Sequence, residues 1–111
     1  MNKDIYVAFV SQKLKDEFFF LKNGKSDEKE LYSSIGRAME EMKKNPACGT
    51  KLQKNIWPKD YVQGYKITNL WKYDLSKGWR LIYTIEGDEI KILSIVLEWF
   101  SHKEYERKFN Y

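Results

Sequence analysis

The chain has 111 residues, of which 42% are hydrophobic, 16% aromatic and 32% charged, with a formal net charge of +4. That is the length of one domain, with enough apolar material for a core and too many aromatics for a disordered chain. A single cysteine, Cys48, excludes an internal disulfide, and with only one histidine the chain lacks the soft ligands for a structural zinc cluster. The longest early apolar run, 5–10, is too short for a signal peptide or a membrane span, so a cytoplasmic protein without membrane contact is expected.

Ile5, Val7 and Phe9 alternate with Tyr6, Ala8 and Val10, and this β-forming run predicts a first strand over 4–10. Ser11 can cap a helix over 12–22, in which Leu14, Phe18 and Leu21 recur at helical spacing before Asn23-Gly24 ends it. A second helix starts at Ser26 with Asp27 and Glu28 at its positive end. Leu31, Ile35, Ala38, Met39 and Met42 form its apolar stripe, Lys43 and Lys44 suit its negative end, and Pro46 stops it. The short link between the two predicts an antiparallel helical hairpin. Residues 45–58 show no clear period and read as a loop or partly extended arm.

Three strands are expected next. In 65–73, Tyr65, Ile67, Asn69, Trp71 and Tyr73 alternate with Lys66, Thr68, Leu70 and Lys72. In 79–86, Trp79, Leu81, Tyr83 and Ile85 alternate with Arg80, Ile82, Thr84 and Glu86. Gly87-Asp88 reads as a two-residue hairpin turn. The nearly continuous apolar run over 90–99 suits a central strand covered on both faces. Ser101 and Glu104 then form a capping box that opens a terminal helix at His102. The order β-α-α-β-β-β-α predicts one α+β domain. Its N-terminal strand and helical hairpin pack on a mainly antiparallel four-stranded sheet, with the helices grouped on one side and a short C-terminal helix.

Positive charge is concentrated. From Lys43 to Lys72 there are seven lysines (43, 44, 51, 54, 59, 66 and 72) against one acid, Asp60. A basic region of this kind is the electrostatic footprint of a polyanion.

The strand Tyr65-Lys66-Ile67, the strand Trp79-Arg80-Leu81-Ile82-Tyr83 and the closing His102-x-x-Tyr105, in this order of elements, resemble the RelE/ParE superfamily of toxins. The likeness covers most of the chain and is best over 64–105. It implies a toxin of a type II toxin–antitoxin system, held silent by a cognate antitoxin. A RelE-like member is an mRNA interferase, an endoribonuclease that needs no metal or other cofactor and cuts messenger RNA on the ribosome, inhibiting translation. The alternatives are a ParE-like, non-catalytic inhibitor of DNA gyrase, or a family member that only binds RNA or a partner protein.

The RelE pattern places phosphate-binding residues at Lys66 and Arg80. If the strand register allows, they share one sheet face and converge on one phosphate, Arg as a fork and Lys as a point charge. His102, in the first helical turn, and Tyr105, one turn on, are the candidate acid–base groups for attack by the 2′-hydroxyl. Lys43, Lys44, Lys51, Lys54, Lys59 and Lys72 are the candidate RNA-binding residues. The chain departs from the pattern at Thr68, where a second basic residue is common, and at Leu97-Glu98-Trp99-Phe100, where a basic cluster is common. Lys72, Lys51 or Lys54 are the candidates to compensate, and Glu98 reads either as a base or as a solvated edge residue. Trp71, Trp79 and Trp99 are expected to pack in the core, and Cys48 receives no role.

Overall fold

The most apolar strand, β5 (Lys91–Phe100), lies inside the sheet with a neighbour on each side, as its composition requires. In this computed structural model, which describes residues 3–109, the chain order is β1 (Asp4–Phe9), α1 (Gln12–Leu21), α2 (Ser26–Lys44), β2 (Thr50–Lys51), α3 (Lys59–Tyr65), β3 (Trp71–Asp74), β4 (Arg80–Gly87), β5 and α4 (His102–Phe109). The class is α+β, as expected, but the sheet has five strands rather than four, in the order β1-β5-β4-β3-β2. β1 runs parallel to β5, and all other neighbours are antiparallel. Among the described residues no helix is long and apolar enough to cross a membrane.

The helices cover both faces of the sheet, not one. On one face the α1–α2 hairpin buries Leu14, Phe18, Ile35, Ala38 and Met42 against Leu81, Tyr83 and Val96. On the other, α3 and α4 bring Tyr61, Tyr105 and Phe109 onto Leu70, Ile82 and Leu97. The hairpin forms as its caps dictate. Ser11 Oγ accepts from Leu14 N at 3.1 Å, and Glu28 reaches back to Lys25 N. The hairpin turn between β4 and β5 lies two residues later than Gly87-Asp88 implied. Asp88 Oδ1 accepts from the N–H groups of Ile90 (2.8 Å) and Lys91 (2.9 Å), fixing the bend beyond it.

The basic segment 45–58 is packed against the body rather than extended as an arm. β2 pairs with β3, Leu52 is buried, and Trp57 Nε1 donates to Leu52 O at 3.1 Å. Tyr83 ties this segment down from the sheet centre, accepting from Gly49 N (3.0 Å) and donating to Pro46 O (2.7 Å). Gly49 is required there, because a Cβ would meet the Lys72 carbonyl at 2.4 Å.

Burial pushes the Tyr83 hydroxyl well above the usual tyrosine range, against the lowering pull of the Gly49 N–H. Burial does the same for Tyr61, reinforced by its bond to Glu98. Both hydroxyls stay protonated in either state below about pH 10, the ordinary tyrosine value, so their contribution is complete there. Above it the unfolded chain releases protons that the folded protein retains, and stability falls as pH rises. The urea midpoint of the wild type is therefore expected to decline above about pH 10. Tyr83→Phe should show a shallower alkaline decline and, near neutrality, a loss of about 1–3 kcal/mol from the two stranded backbone partners. An unchanged alkaline slope in Tyr83→Phe would remove this account of the hydroxyl.

Candidate functional site

Expected and observed positions part company at Lys66. The segment expected as a strand over 65–73 divides in two: α3 occupies Lys59–Tyr65, and β3 begins only at Trp71. Lys66 caps α3 with left-handed backbone (φ 52°) and is exposed, so it does not sit on a strand beside Arg80. The cause is Asn69. Its Nδ2 donates to Ile85 O (2.7 Å) and its Oδ1 accepts from Ile85 N (2.8 Å), so a side chain fills the place of a backbone partner on β4. The ladder therefore starts two residues later.

The register decides which lysine meets Arg80: Asp74 pairs with Arg80 and Lys72 with Ile82, so Lys66, even on an extended strand, would lie far along β4 from Arg80. Lys72 pairs with Ile82, and Arg80 lies two residues from Ile82, so both cations point to the face covered by α4. Arg80 stands opposite Trp79, Leu81 and Tyr83, which face the helical hairpin, as the alternation implied. Lys72, Arg80, His102, Tyr105 and Glu106 line one cleft of about 310 Å³.

The cations are held firmly. Lys72 and Arg80 are each only about one-fifth exposed. Arg80 Nη1 donates to Gly78 O at 2.6 Å and to Trp79 O at 3.3 Å, and the guanidinium lies 5.6 Å from the Tyr105 ring centre. Gly78 makes this possible, with φ +79° and a Cβ position 3.2 Å from that of His102. The bend between β3 and β4 thereby lies against the first turn of α4. Lys72 Nζ and Arg80 Nε each lie 3.0 Å from the same atom, Asp74 Oδ1. Arg80 Nε makes that contact without hydrogen-bond alignment. One carboxylate oxygen thus sits where two cations converge, the position an anionic oxygen of a ligand would take.

The acid–base candidates are arranged differently from one another. Ser101 and Glu104 form the expected box, with Ser101 N donating to Glu104 Oε1 at 3.1 Å, so α4 begins at His102. His102 is exposed, and its Nε2 contacts Glu106 Oε1 one turn on. That contact turns Nε2 toward Glu106 and leaves Nδ1 on the other side of the ring. Glu106 was not singled out in the sequence, although the i,i+4 spacing from His102 contained the signal. Tyr105 is 3% exposed, stacks on Phe109 at 4.6 Å and has an enclosed hydroxyl oxygen. It offers the cleft its ring, under Arg80, and works as the floor that positions the guanidinium.

Glu98 is neither a base at the cleft nor a solvated edge residue. It is partly buried and accepts the Tyr61 hydroxyl at 2.6 Å. The remaining lysines lie outside the cleft. Lys43 and Lys44 pair with Glu40 (3.1 Å) and Glu41 (3.9 Å) at the end of α2. Lys51 is on β2, opposite Trp71 and so on the face away from Lys72. Lys54 lies in a short turn and Lys59 opens α3, both exposed. Trp71, Trp79 and Trp99 are half-buried against the hairpin core, as expected.

The fold and site together define a small α+β domain with a cationic cleft between the end of its β3–β4 hairpin and its terminal helix. Comparison with known proteins found no matching family model, no matching curated protein and no matching solved structure.

Proposed function

We propose that this chain is a RelE-like toxin that cleaves messenger RNA on the ribosome of the cytoplasm in which it is made. The observation that supports this most is the convergence of Lys72 and Arg80 on a single oxygen position beside His102. In this reading Lys72 and Arg80 hold the scissile phosphate and stabilise the charge of the phosphorane as it forms. His102 Nδ1 accepts the proton of the 2′-hydroxyl, with the ring oriented by Glu106. The 2′ oxygen bonds to phosphorus, the bond to the 5′ oxygen breaks, and that oxygen takes a proton from water. The products are a 2′,3′-cyclic phosphate and a 5′-hydroxyl end. Lys72 takes the place first assigned to Lys66. The exposed Lys51, Lys54, Lys59 and Lys66 supply non-specific attraction to RNA, and a cognate antitoxin silences the protein by covering the cleft.

Purified ribosomes programmed with a defined message test the reading, with the RNA ends mapped after incubation. Cleavage within the coding region, producing cyclic phosphate ends, is the expected result, and an intact message contradicts it. The enclosed hydroxyl of Tyr105 favours one second reading, binding without cleavage, of the kind a gyrase inhibitor needs. An intact message together with inhibited supercoiling would establish that reading instead.

Asp74 bears on either form of anion binding, because its single negative charge already offsets part of the charge of the two cations. Asp74→Asn keeps the shape of the side chain and removes its charge. It is expected to tighten binding of a short RNA by about tenfold at low salt, measured by fluorescence anisotropy. Unchanged affinity would mean that RNA does not enter between Lys72 and Arg80.

A further inference from the structure

The outer edge of β1 lies at the far end of the sheet from β3 and the cationic cleft. Its backbone is half unused. Asp4 N donates to Ile90 O (3.1 Å) and Val10 N to Val96 O (2.9 Å), so Asp4, Tyr6, Ala8 and Val10 face β5. By the alternation of a parallel ladder, Ile5, Val7 and Phe9 turn their N–H and C=O groups outward. Among the described residues β1 has no other strand neighbour. Natural sheets blunt such an edge with lysine, proline or a bulge, and Asp4–Phe9 has none of these.

The surface around the edge is apolar. Six large hydrophobic residues are strongly exposed among those described, and three lie around this edge: Tyr6 on β1 (51%), Phe19 on α1 (49%) and Ile90 (73%) beside Asp4. A groove of about 540 Å³ runs along the strand, lined by Val7, Phe9, Phe18, Phe19 and Met39 among others. Exposed aromatics grouped on an open edge mark an interaction surface.

We propose that β1 is the interface for a second copy of this chain, paired antiparallel about a two-fold axis through Val7. The sequence is self-complementary in that register. Val7 meets Val7, Ile5 meets Phe9, and the large Tyr6 falls opposite the small Ala8. The outward groups of residues 5, 7 and 9 in each copy then pair completely, and two five-stranded sheets join into one. Charge permits it. Asp4 lies opposite Val10, so no like charges meet across the strands. Of the charged side chains of α1, only Lys15 lines the groove. Phe19 of the two copies closes over the joint. The cationic cleft, at the other end of each sheet, stays open to its ligand.

Val7→Pro tests the pairing at its centre. The N–H it removes is one that faces outward, so the bonds between β1 and β5 are spared. Because the axis places Val7 against itself, one substitution deletes both central bonds. Phe19→Lys is a second variant, at a half-exposed position that lines the groove. Light scattering after size exclusion, over a concentration series, should give the wild type twice its chain mass of 13.4 kDa. Val7→Pro should raise the dissociation constant by roughly 100-fold and Phe19→Lys by roughly tenfold, with RNA affinity of the cleft unchanged in both. A wild type that is monomeric throughout overturns the proposal and leaves the edge to a strand from a different protein. A dimer that neither variant weakens overturns it as well. If Val7→Pro does not fold by circular dichroism, Phe19→Lys alone decides.

Discussion

Arg80→Ala is expected to lower message cleavage by about 10²–10³-fold, the usual effect of deleting one preorganised donor to a developing anion. No other cleft residue is fixed from so many sides. Its guanidinium is tied to Gly78 O and Trp79 O, lies over Tyr105 and contacts Asp74. The same ties mean that alanine also frees the loop before β4, so the substitution needs a companion. Arg80→Lys retains the charge but loses the planar fork. It should recover most of the RNA affinity and little of the cleavage, which separates phosphate orientation from simple attraction. Cleavage by Arg80→Ala at the wild-type rate, in protein shown to be folded by its thermal melt, would remove this cleft from the chemistry.

The largest effect on stability is expected from Tyr61→Ala. Tyr61 is almost fully buried and joins three elements. It is on α3, its ring packs edge-on against Phe109 of α4 at 6.3 Å, and its hydroxyl donates to Glu98 of β5 at 2.6 Å. Truncation removes a buried aromatic, which costs about 3–5 kcal/mol. It also leaves the Glu98 carboxylate without its donor in a partly buried position. Urea unfolding should show a midpoint lowered accordingly, and Tyr61→Phe should lose only about 1–3 kcal/mol, the hydroxyl's share. Equal losses for the two variants would mean that the ring contributes nothing and that α3 is not anchored as described.

Tyr61 also shows what the sequence concealed. The seven residues of α3 are too few for a visible helical period, and Tyr61 and Tyr65 fit a period of two, continued through Ile67 and Asn69, equally well. What selects the helix is contact with Glu98 and Phe109, distant in the chain, which no local pattern contains. Asn69 was hidden for a related reason. A side-chain amide replacing a backbone partner looks in sequence like any strand residue; it sets where β3 begins, while the register of β3 on β4 makes Lys72, not Lys66, the lysine beside Arg80. By contrast, α1, α2, β4, β5 and the start of α4 were legible, because caps and alternation are local signals: Ser11, Ser101 with Glu104, and Arg80 opposite Trp79 and Leu81. The parallel pairing of β1 with β5 and the placement of α3 and α4 on the second face depend on packing between distant segments. In the site, Arg80 and His102 were legible by position, whereas Asp74 and Glu106 gain their meaning only from the atoms beside them.

Induced expression of wild type and Arg80→Ala, with growth and message ends followed in the same cells, tests the central claim most directly. Growth arrest with messages cut inside coding regions by the wild type, and neither effect from Arg80→Ala, is the result this account predicts. Unaffected growth, or arrest with messages intact, contradicts it.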